Sequence, residues 1–168
     1  MPAGIEQLGR AGVGLYGGNP LASGKASDVG LKPVVSVFGK VLQVRGIKAG
    51  TPVGYGGTYT ASADERVMIV GVGYADGVPR LLSNQGHIFV QGKRCAIRGR
   101  VSMDMLHADA SKVDVAVGDW VEVMGANICV DDIAAQAQTI SYEVFTGLGK
   151  RLHRVYRNDS ESGLIEGR

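Results

Sequence analysis

The sequence predicts an all-β (mainly β), barrel-like domain of many short strands, with two short helices near its C-terminal end. Its strand-forming residues come in short runs between turns, and 26 of the 168 residues are glycine, against a usual share of ~7%. Helix-start signals appear near the end of the chain, at Asp131 or Asp132 and at Ser141. Closely spaced short strands of this kind favour a closed or nearly closed barrel.

The longest strands are predicted in the first half of the chain. VVSVFGKVLQVRGI at 34–47 is rich in β-branched residues and partly alternating, which predicts one strand or a bulged pair. GTPVGYGGTYTA at 50–61 predicts a loop with strand character at its end. RVMIVGVGY at 66–74 is continuously apolar and predicts a buried strand, with Tyr74 at its end before a turn.

The second half predicts shorter strands and the two helices. HIFVQG and KRCAIRG predict a hairpin that turns at residues 91–93. GDWVEVMG alternates, so Trp120 and Glu122 are expected on the same face of a strand. MDMLHADAS, ANICV and the final RLHRVY predict three further strands. IAAQAQ and YEVFTGLG predict the helices, and glycine ends the second one.

Composition excludes several classes of function. The net charge of +2 and an aromatic content of 6% do not predict a nucleic-acid-binding surface. No apolar run approaches the ~18 residues of a membrane helix, and no secretory segment opens the chain.

Cys95 and Cys129 form no CxxC pair, so a reducing, cytoplasmic setting is expected. His87, His107 and His153 lack metal-ligand spacing, and no metal site is expected.

Single motifs in this chain are weak. Residues 12–17 match G-x-G-x-x-G, but glycine and proline follow where a dinucleotide site needs a helix, so a plain turn is favoured. From pattern alone, Arg10 is a solvated charge, Tyr74 a half-buried strand residue and Met103 a core residue. Composition and spacing therefore establish only a soluble β domain.

Several segments together resemble one family. GRAGVGLYGGNP, LKPVVSV, VGYGGTY, VGVGYADGVPR, IRGRVSMDM, VGDWVEVMG and DDIAAQAQTISYEVFTGLGKR follow the order and spacing of the C-terminal portion of bacterial alanine racemases. The resemblance runs from about Gly9 to Arg157, and GYADG together with GRVSMDM is its most specific part.

The resemblance implies a domain organisation. Residues 1–20 would be the end of an α/β barrel that holds pyridoxal phosphate (PLP), residues 21–31 a linker, and residues 32–158 the C-terminal β-barrel-like domain. The chain ends in IEGR, a protease recognition site common in expression vectors, so residues 159–168 are interpreted as a vector-derived tail.

The resemblance also implies an activity and its residues. Alanine racemases interconvert L-alanine and D-alanine through an imine with PLP, and D-alanine serves peptidoglycan synthesis. Because PLP withdraws electrons from the Cα atom, racemisation needs one base and one acid on opposite faces of that atom. Tyr74 matches the tyrosine that serves the L-alanine face. Arg10 matches the arginine at the PLP ring nitrogen, and Gly12 and Val13 match backbone donors to the phosphate.

Met103 matches a residue whose backbone contacts the substrate carboxylate. In such homodimers Arg10 would serve its own subunit's cofactor, and Tyr74 would serve the active site on the partner's barrel. Some members also place a tyrosine against the phosphate in the region of the SYEV helix, and Lys150 is aligned with it here, so that role is not assigned.

No lysine of the chain matches the position that binds PLP covalently, so the chain alone is expected to be inactive. Two alternatives stay open. One is a racemase of the same fold that acts on serine or another amino acid. The other is a stand-alone β-barrel binding module.

Overall fold

The computed structural model describes residue 9, residues 12–21 and residues 24–157. The strands of this part of the chain are β1 (Val37–Ile47), β2 (Pro52–Val53), β3 (Tyr59–Thr60), β4 (Glu65–Val70), β5 (His87–Val90), β6 (Lys93–Ala96), β7 (Leu106–Asp109) and β8 (Trp120–Met124). The α-helices are α1 (Val130–Gln136) and α2 (Ser141–Thr146). Short 3-10 helices span Val13–Tyr16, Ala26–Val29, Tyr55–Gly57, Tyr74–Asp76 and Arg80–Leu82. The mainly β class and the two helices near the C-terminal end are confirmed.

Six strands form one antiparallel sheet that curls until its edges meet. Their order is β6-β5-β8-β1-β4-β7, while β2 and β3 form a small separate sheet. The edge strands β6 and β7 approach each other at a bridge between Ile97 and Ala108. Next to it, the Arg98 N–H donates to the His107 carbonyl oxygen at 2.9 Å. The sheet is therefore a nearly closed barrel, as the sequence predicts.

The barrel interior is filled by side chains from all around the sheet. Met68, Ile88, Leu106 and Val121 are fully buried there. Such burial of apolar surface is the main favourable contribution to folding. The long strand β1 pairs with β8 through its first half and with β4 through its second half, with an irregular register after Val41. This is the bulged form that the sequence predicts, and it lets one strand join both sides of the barrel.

The β5–β6 hairpin is confirmed at its predicted position. Gln91 and Gly92 form the turn with φ values of 49° and 76°. Two successive positive φ angles match the twist of a tight hairpin. Lys93, expected in the turn, is the first residue of β6.

Three local predictions are wrong. The segment RLHRVY forms no strand in the described residues, and ANICV forms a turn in which the Gly125 N–H donates to the Ile128 carbonyl oxygen at 2.8 Å. Helix α1 begins at Val130 with Cys129 as its N-cap residue, so the carboxylates of Asp131 and Asp132 lie in its first turn. Negative charge there still favours the N-terminus of the helix.

Glu122 departs from the alternation expected for β8. Trp120 is 44% exposed, whereas Glu122 is only 8% exposed. The turn after β8 folds back over the carboxylate, which accepts the backbone N–H groups of Asn127 and Ile128 and the Asn127 side-chain amide, at 2.7–2.9 Å. Hydrogen bonds of this kind offset the cost of burying the charge.

The segment before β1 is packed against the two helices by one carboxylate. Asp131 accepts the backbone N–H groups of Asn19 and Ala26, both at 3.0 Å, and the Ser141 hydroxyl at 2.6 Å. Burial alone would raise the pKa of Asp131, but these hydrogen bonds hold it below its usual value. Part of the predicted linker is thus a 3-10 helix tied to α1 rather than a loose turn.

Candidate active site

Tyr74 lies on a turn beyond β4 rather than at the end of the strand. The strand ends at Val70, and Tyr74 opens a 3-10 helix that Gly77 closes with a φ of 102°. The Tyr74 side chain is 46% exposed, so its phenol is accessible from outside the barrel. Such a turn lets the side chain project away from the sheet, which a buried strand position would not.

The turn of Tyr74 is joined to the turn of Met103 by the backbone. The Tyr74 N–H donates to the Ser102 carbonyl oxygen at 2.9 Å, and the Ala75 N–H donates to the Met103 carbonyl oxygen at 3.0 Å. A Cβ atom at Gly73 would lie 2.4 Å from both carbonyl oxygens. Only glycine permits this approach, so packing requires glycine at position 73.

Met103 is exposed and leaves one backbone group available. Its side chain is half exposed, and its turn is closed by the Ser102 N–H, which donates to the Met105 carbonyl oxygen at 2.9 Å. The Met103 carbonyl oxygen is used by Ala75, whereas its N–H has no acceptor among residues 12–21 and 24–157. An amide N–H that needs an acceptor can bind a carboxylate oxygen of a ligand.

Asp76 supports the Tyr74 turn from inside. It is 7% exposed, and its Oδ2 atom accepts the Gly73 N–H at 2.9 Å. Its Oδ1 atom lies 3.4 Å from Nε of Arg151. The same guanidinium reaches Asp104, with 2.7 Å between Nη1 and Oδ1. Beside Asp104 and Asp76, the pKa of Arg151 is raised above its usual value, so Arg151 stays charged.

A second group of predicted residues lies at the other end of the chain. Val13 is buried at the start of the Val13–Tyr16 helix, while Gly12 is exposed before it. A Cβ atom at Gly12 would lie 3.1 Å from the Tyr142 hydroxyl oxygen, and the three heavy atoms nearest to it all belong to Tyr142. The phenol of Tyr142 thus lies directly against the backbone of Gly12. Arg10 lies outside the described residues.

Tyr142 is the functional candidate that the sequence reasoning missed. Lys150, which is aligned with the phosphate-facing tyrosine of some members, is an exposed residue beyond α2, whereas Tyr142, on α2, is the side chain beside Gly12. The letters SYEV contained the signal, since a tyrosine follows Ser141 directly. Only the packing of α2 against residues 12–18 shows which side chain meets Gly12.

The predicted site residues form two groups. Tyr74 and Met103 belong to one, and Gly12 and Val13 to the other. Among residues 12–18 and 24–157, no hydrogen bond or ion pair joins the Tyr74–Asp76 turn to residues 12–18. No group of three or more potential metal ligands occurs among the described residues. Within the same residues, no helix is long and apolar enough to span a bilayer.

Comparison with known proteins gives the family of this fold. Residues 34–156 match the family model described as "Alanine racemase, C-terminal domain". The chain is 44% identical over 153 residues to an alanine racemase of Hahella chejuensis, covering 90% of this chain and 41% of that protein. It is 45% identical over 150 residues to a catabolic alanine racemase of Agrobacterium fabrum, covering 88% of this chain and 38% of that protein.

Solved structures agree with the sequence relatives. The biosynthetic alanine racemase of Pseudomonas aeruginosa superposes with a TM-score of 0.83 at 40% identity, covering 88% of this chain and 41% of that one. The alanine racemase of Bartonella henselae, which carries covalently bound pyridoxal phosphate, gives a TM-score of 0.79 at 38% identity over 87% of this chain and 40% of that one. The chain spans about two fifths of the length of the curated relatives it matches. By its sequence and its nearly closed barrel, this chain belongs to the alanine racemase C-terminal domain family.

Proposed function

We propose that this chain acts as the C-terminal part of a PLP-dependent racemase whose substrate is alanine. The observation that carries the proposal is the fixed pairing of the Tyr74 turn with the Met103 turn. It holds an accessible phenol and a backbone N–H that has no acceptor within residues 12–21 and 24–157 on neighbouring loops. An acid–base group and a carboxylate-binding group are what proton transfer at the Cα atom of an amino acid needs.

The residues at Gly12 fit the phosphate of PLP. The cradle between the Gly12 backbone and the Tyr142 hydroxyl would be filled by any side chain at position 12, because a Cβ atom would lie only 3.1 Å from that oxygen. Gly12, Val13 and Tyr142 would hold the phosphate, and Arg10 would contact the ring nitrogen. When bound, PLP withdraws electrons from the substrate and makes the Cα proton removable.

In this reaction Tyr74 and Met103 have separate tasks. The Tyr74 hydroxyl oxygen takes or returns the proton on the L-alanine face. The Met103 N–H donates to the substrate carboxylate and orients the Cα–H bond toward the phenol. A lysine supplied from outside this chain serves the D-alanine face.

We propose that the two groups of residues serve two active sites of a homodimer. Gly12 and Tyr142 belong with the cofactor of their own subunit, and Tyr74 and Met103 complete the site on the partner's barrel. No hydrogen bond or ion pair within residues 12–18 and 24–157 joins the two groups, which agrees with this arrangement. The proposal includes that the D-alanine serves peptidoglycan synthesis and that the protein acts in the cytoplasm. The two free cysteines, Cys95 and Cys129, agree with a reducing compartment.

A chimera tests the function. The chain replaces the matching part of the Hahella chejuensis alanine racemase, and racemisation of alanine and serine is measured for the wild type and for Tyr74→Phe. We expect alanine activity, and a loss of about 10²–10⁴-fold in kcat for Tyr74→Phe, since a general acid–base group contributes that much. Tyr156→Phe, at a fully exposed tyrosine, is the matched control.

Three outcomes would contradict the proposal. Unchanged activity of Tyr74→Phe would remove the acid–base role. Faster turnover of serine would favour the serine racemase alternative. Racemisation by the purified chain alone, free of other racemases, would show that the external lysine is not needed. The binding-module alternative has no support from the relatives, because they are named as enzymes.

A further inference from the structure

Three separate segments meet beneath Tyr74. The turn of Tyr74 and the turn of Met103 share two backbone hydrogen bonds, and the residues after α2 contact the first through the backbone and both through Arg151. The Gly149 N–H donates to the Asp76 carbonyl oxygen at 3.1 Å, and a Cβ atom at Gly149 would lie 2.6 Å from the Ala75 carbonyl oxygen. The third segment thus lies in direct contact with the underside of the Tyr74 turn.

Arg151, at the end of this third segment, is the only described side chain that binds a carboxylate of each turn. Its Nε atom lies 3.4 Å from Asp76 on the Tyr74 turn, and its Nη1 atom lies 2.7 Å from Asp104 beside Met103. The Asp76 side chain is 9% exposed, and its other oxygen accepts the Gly73 N–H. A buried carboxylate without its charged partner would be costly, so Arg151 helps the Gly73 N–H to hold Asp76 in place.

The chemistry of arginine suits this task. A guanidinium presents several N–H donors in a rigid plane, so that one side chain can contact two carboxylates in a fixed relative position. An ammonium group has no such fork and acts as a point charge. The nearby Arg154 provides a contrast, because its Nη2 atom reaches, within the described part of the chain, only the carbonyl oxygens of Leu148 and Gly149, both at 3.5 Å.

We propose that Arg151 is a positioning residue that sets the distance between the Tyr74 phenol and the Met103 N–H. This inference rests on the proposed function for its effect on racemisation, but the positioning itself is a property of the chain. Without Arg151, the two turns keep their backbone hydrogen bonds but lose the charged link beneath them. The turns then open more often, and the phenol spends less time at its working distance from the carboxylate-binding group.

Hydrogen–deuterium exchange of the full chain, measured by NMR, tests the positioning directly. In Arg151→Met we expect the Tyr74 and Ala75 amides to exchange about fivefold faster, since the loss of a partly exposed ion pair changes an opening equilibrium by at most about this factor. Arg154→Met should leave both rates unchanged. Arg151→Lys should restore them only in part, because an ammonium group lacks the rigid planar donors that fix two carboxylates in one relative position.

Amides of β4 and β7 report whether the fold itself is affected. If their exchange accelerates equally, Arg151 supports the whole domain and the proposal fails. If Arg151→Met lowers stability too far for this comparison, Asp104→Asn replaces it, since it removes only the link to the Met103 turn. Unchanged rates at Ala75 in both variants would also overturn the proposal.

The chimera separates this inference from the proposed function. We expect Arg151→Met to lower kcat/KM for alanine about tenfold, because a small misplacement of reacting groups is enough for such a loss. The affinity for PLP, followed by absorbance, should stay as in the wild type. A wild-type chimera that binds PLP without racemising would refute the function, while the exchange rates would still decide the role of Arg151.

Discussion

Gly73 lies so close to Met103 that a Cβ atom at position 73 would come within 2.4 Å of the Met103 carbonyl oxygen. Gly73→Ala should therefore push the two turns apart and destabilise the domain by about 1–3 kcal/mol, the usual cost of overpacking. Urea denaturation measures this difference. Gly46→Ala is the matched control, because a Cβ atom there meets nothing within 4 Å. Equal stabilities of the two variants would show that the turns are not held at this distance.

The two carboxylates that meet Arg151 should differ in importance. Asp76→Asn replaces a buried carboxylate by an amide. In either orientation of the amide, its NH2 group meets another donor, which is the Gly73 N–H or the Arg151 guanidinium. We expect a loss of about 1–3 kcal/mol, as for other buried hydrogen bonds that are broken. Asp104→Asn, at a side chain 44% exposed, should cost less than ~1 kcal/mol. Urea denaturation of both variants measures these losses in the free energy of unfolding. A larger loss for Asp104→Asn than for Asp76→Asn would contradict this ranking.

His107 should make the domain less stable in mildly acidic solution. Burial lowers the pKa of His107 below its ordinary value of 6.5, and the positive charge of Arg45 lowers it further. Its Nδ1 atom is buried without a hydrogen-bond partner among the described residues. The unfolded chain therefore takes up the proton first as pH falls, so folding free energy is lost from about pH 6.5 downward, until the folded form is protonated too.

The pH dependence of urea denaturation between pH 8 and pH 5 measures this effect. His107→Gln should flatten the curve, and His153→Gln, at an exposed histidine, controls for the loss of a histidine as such. An NMR titration of the His107 ring should also show a midpoint below that of a histidine in the unfolded chain. A midpoint at or above that value would refute the assignment.

Tyr142 should contribute to the affinity for PLP and not to the stability of the fold. In the chimera, Tyr142→Phe removes the hydroxyl beside Gly12, and we expect an affinity for PLP lower by about tenfold to a hundredfold, since hydrogen bonds to charged groups contribute about 1.5–3 kcal/mol. Tyr16→Phe is the control. This variant keeps the aromatic ring, whose centroid lies 5.8 Å from that of Phe145, and removes a hydroxyl to which no role is assigned. Equal PLP affinities of the two variants would argue against the cradle.

Local pattern and composition identified much of the barrel. The β5–β6 hairpin, the long bulged strand β1 and the helix that starts at Ser141 all follow from turn residues, β-branching and capping signals, which act over a few residues. RLHRVY has the letters of a strand, but it pairs with no strand among the described residues, and a strand needs a partner. Sequence pattern does not contain that information.

The site required information from distant parts of the chain. Glu122 is buried because the turn at Asn127 supplies its donors, and Tyr142 is a candidate because Gly12 lies beside it. Neither partner can be identified from the spacing around the residue itself. Tyr74 was singled out by resemblance alone, and the structure adds the close approach of Gly73 to Met103 that fixes its turn.

The contacts of Asp131 have a consequence for where this domain can be cut. The family match begins at residue 34, yet Asn19 and Ala26 are tied to Asp131, and Gly18 packs against Ser141 and Phe145. A shortened protein that starts at residue 34 would leave that carboxylate without two of its donors and expose the side of α2 that now meets Gly18. We therefore expect a truncated protein that keeps residues 12–31 to be more stable than one that begins at residue 34.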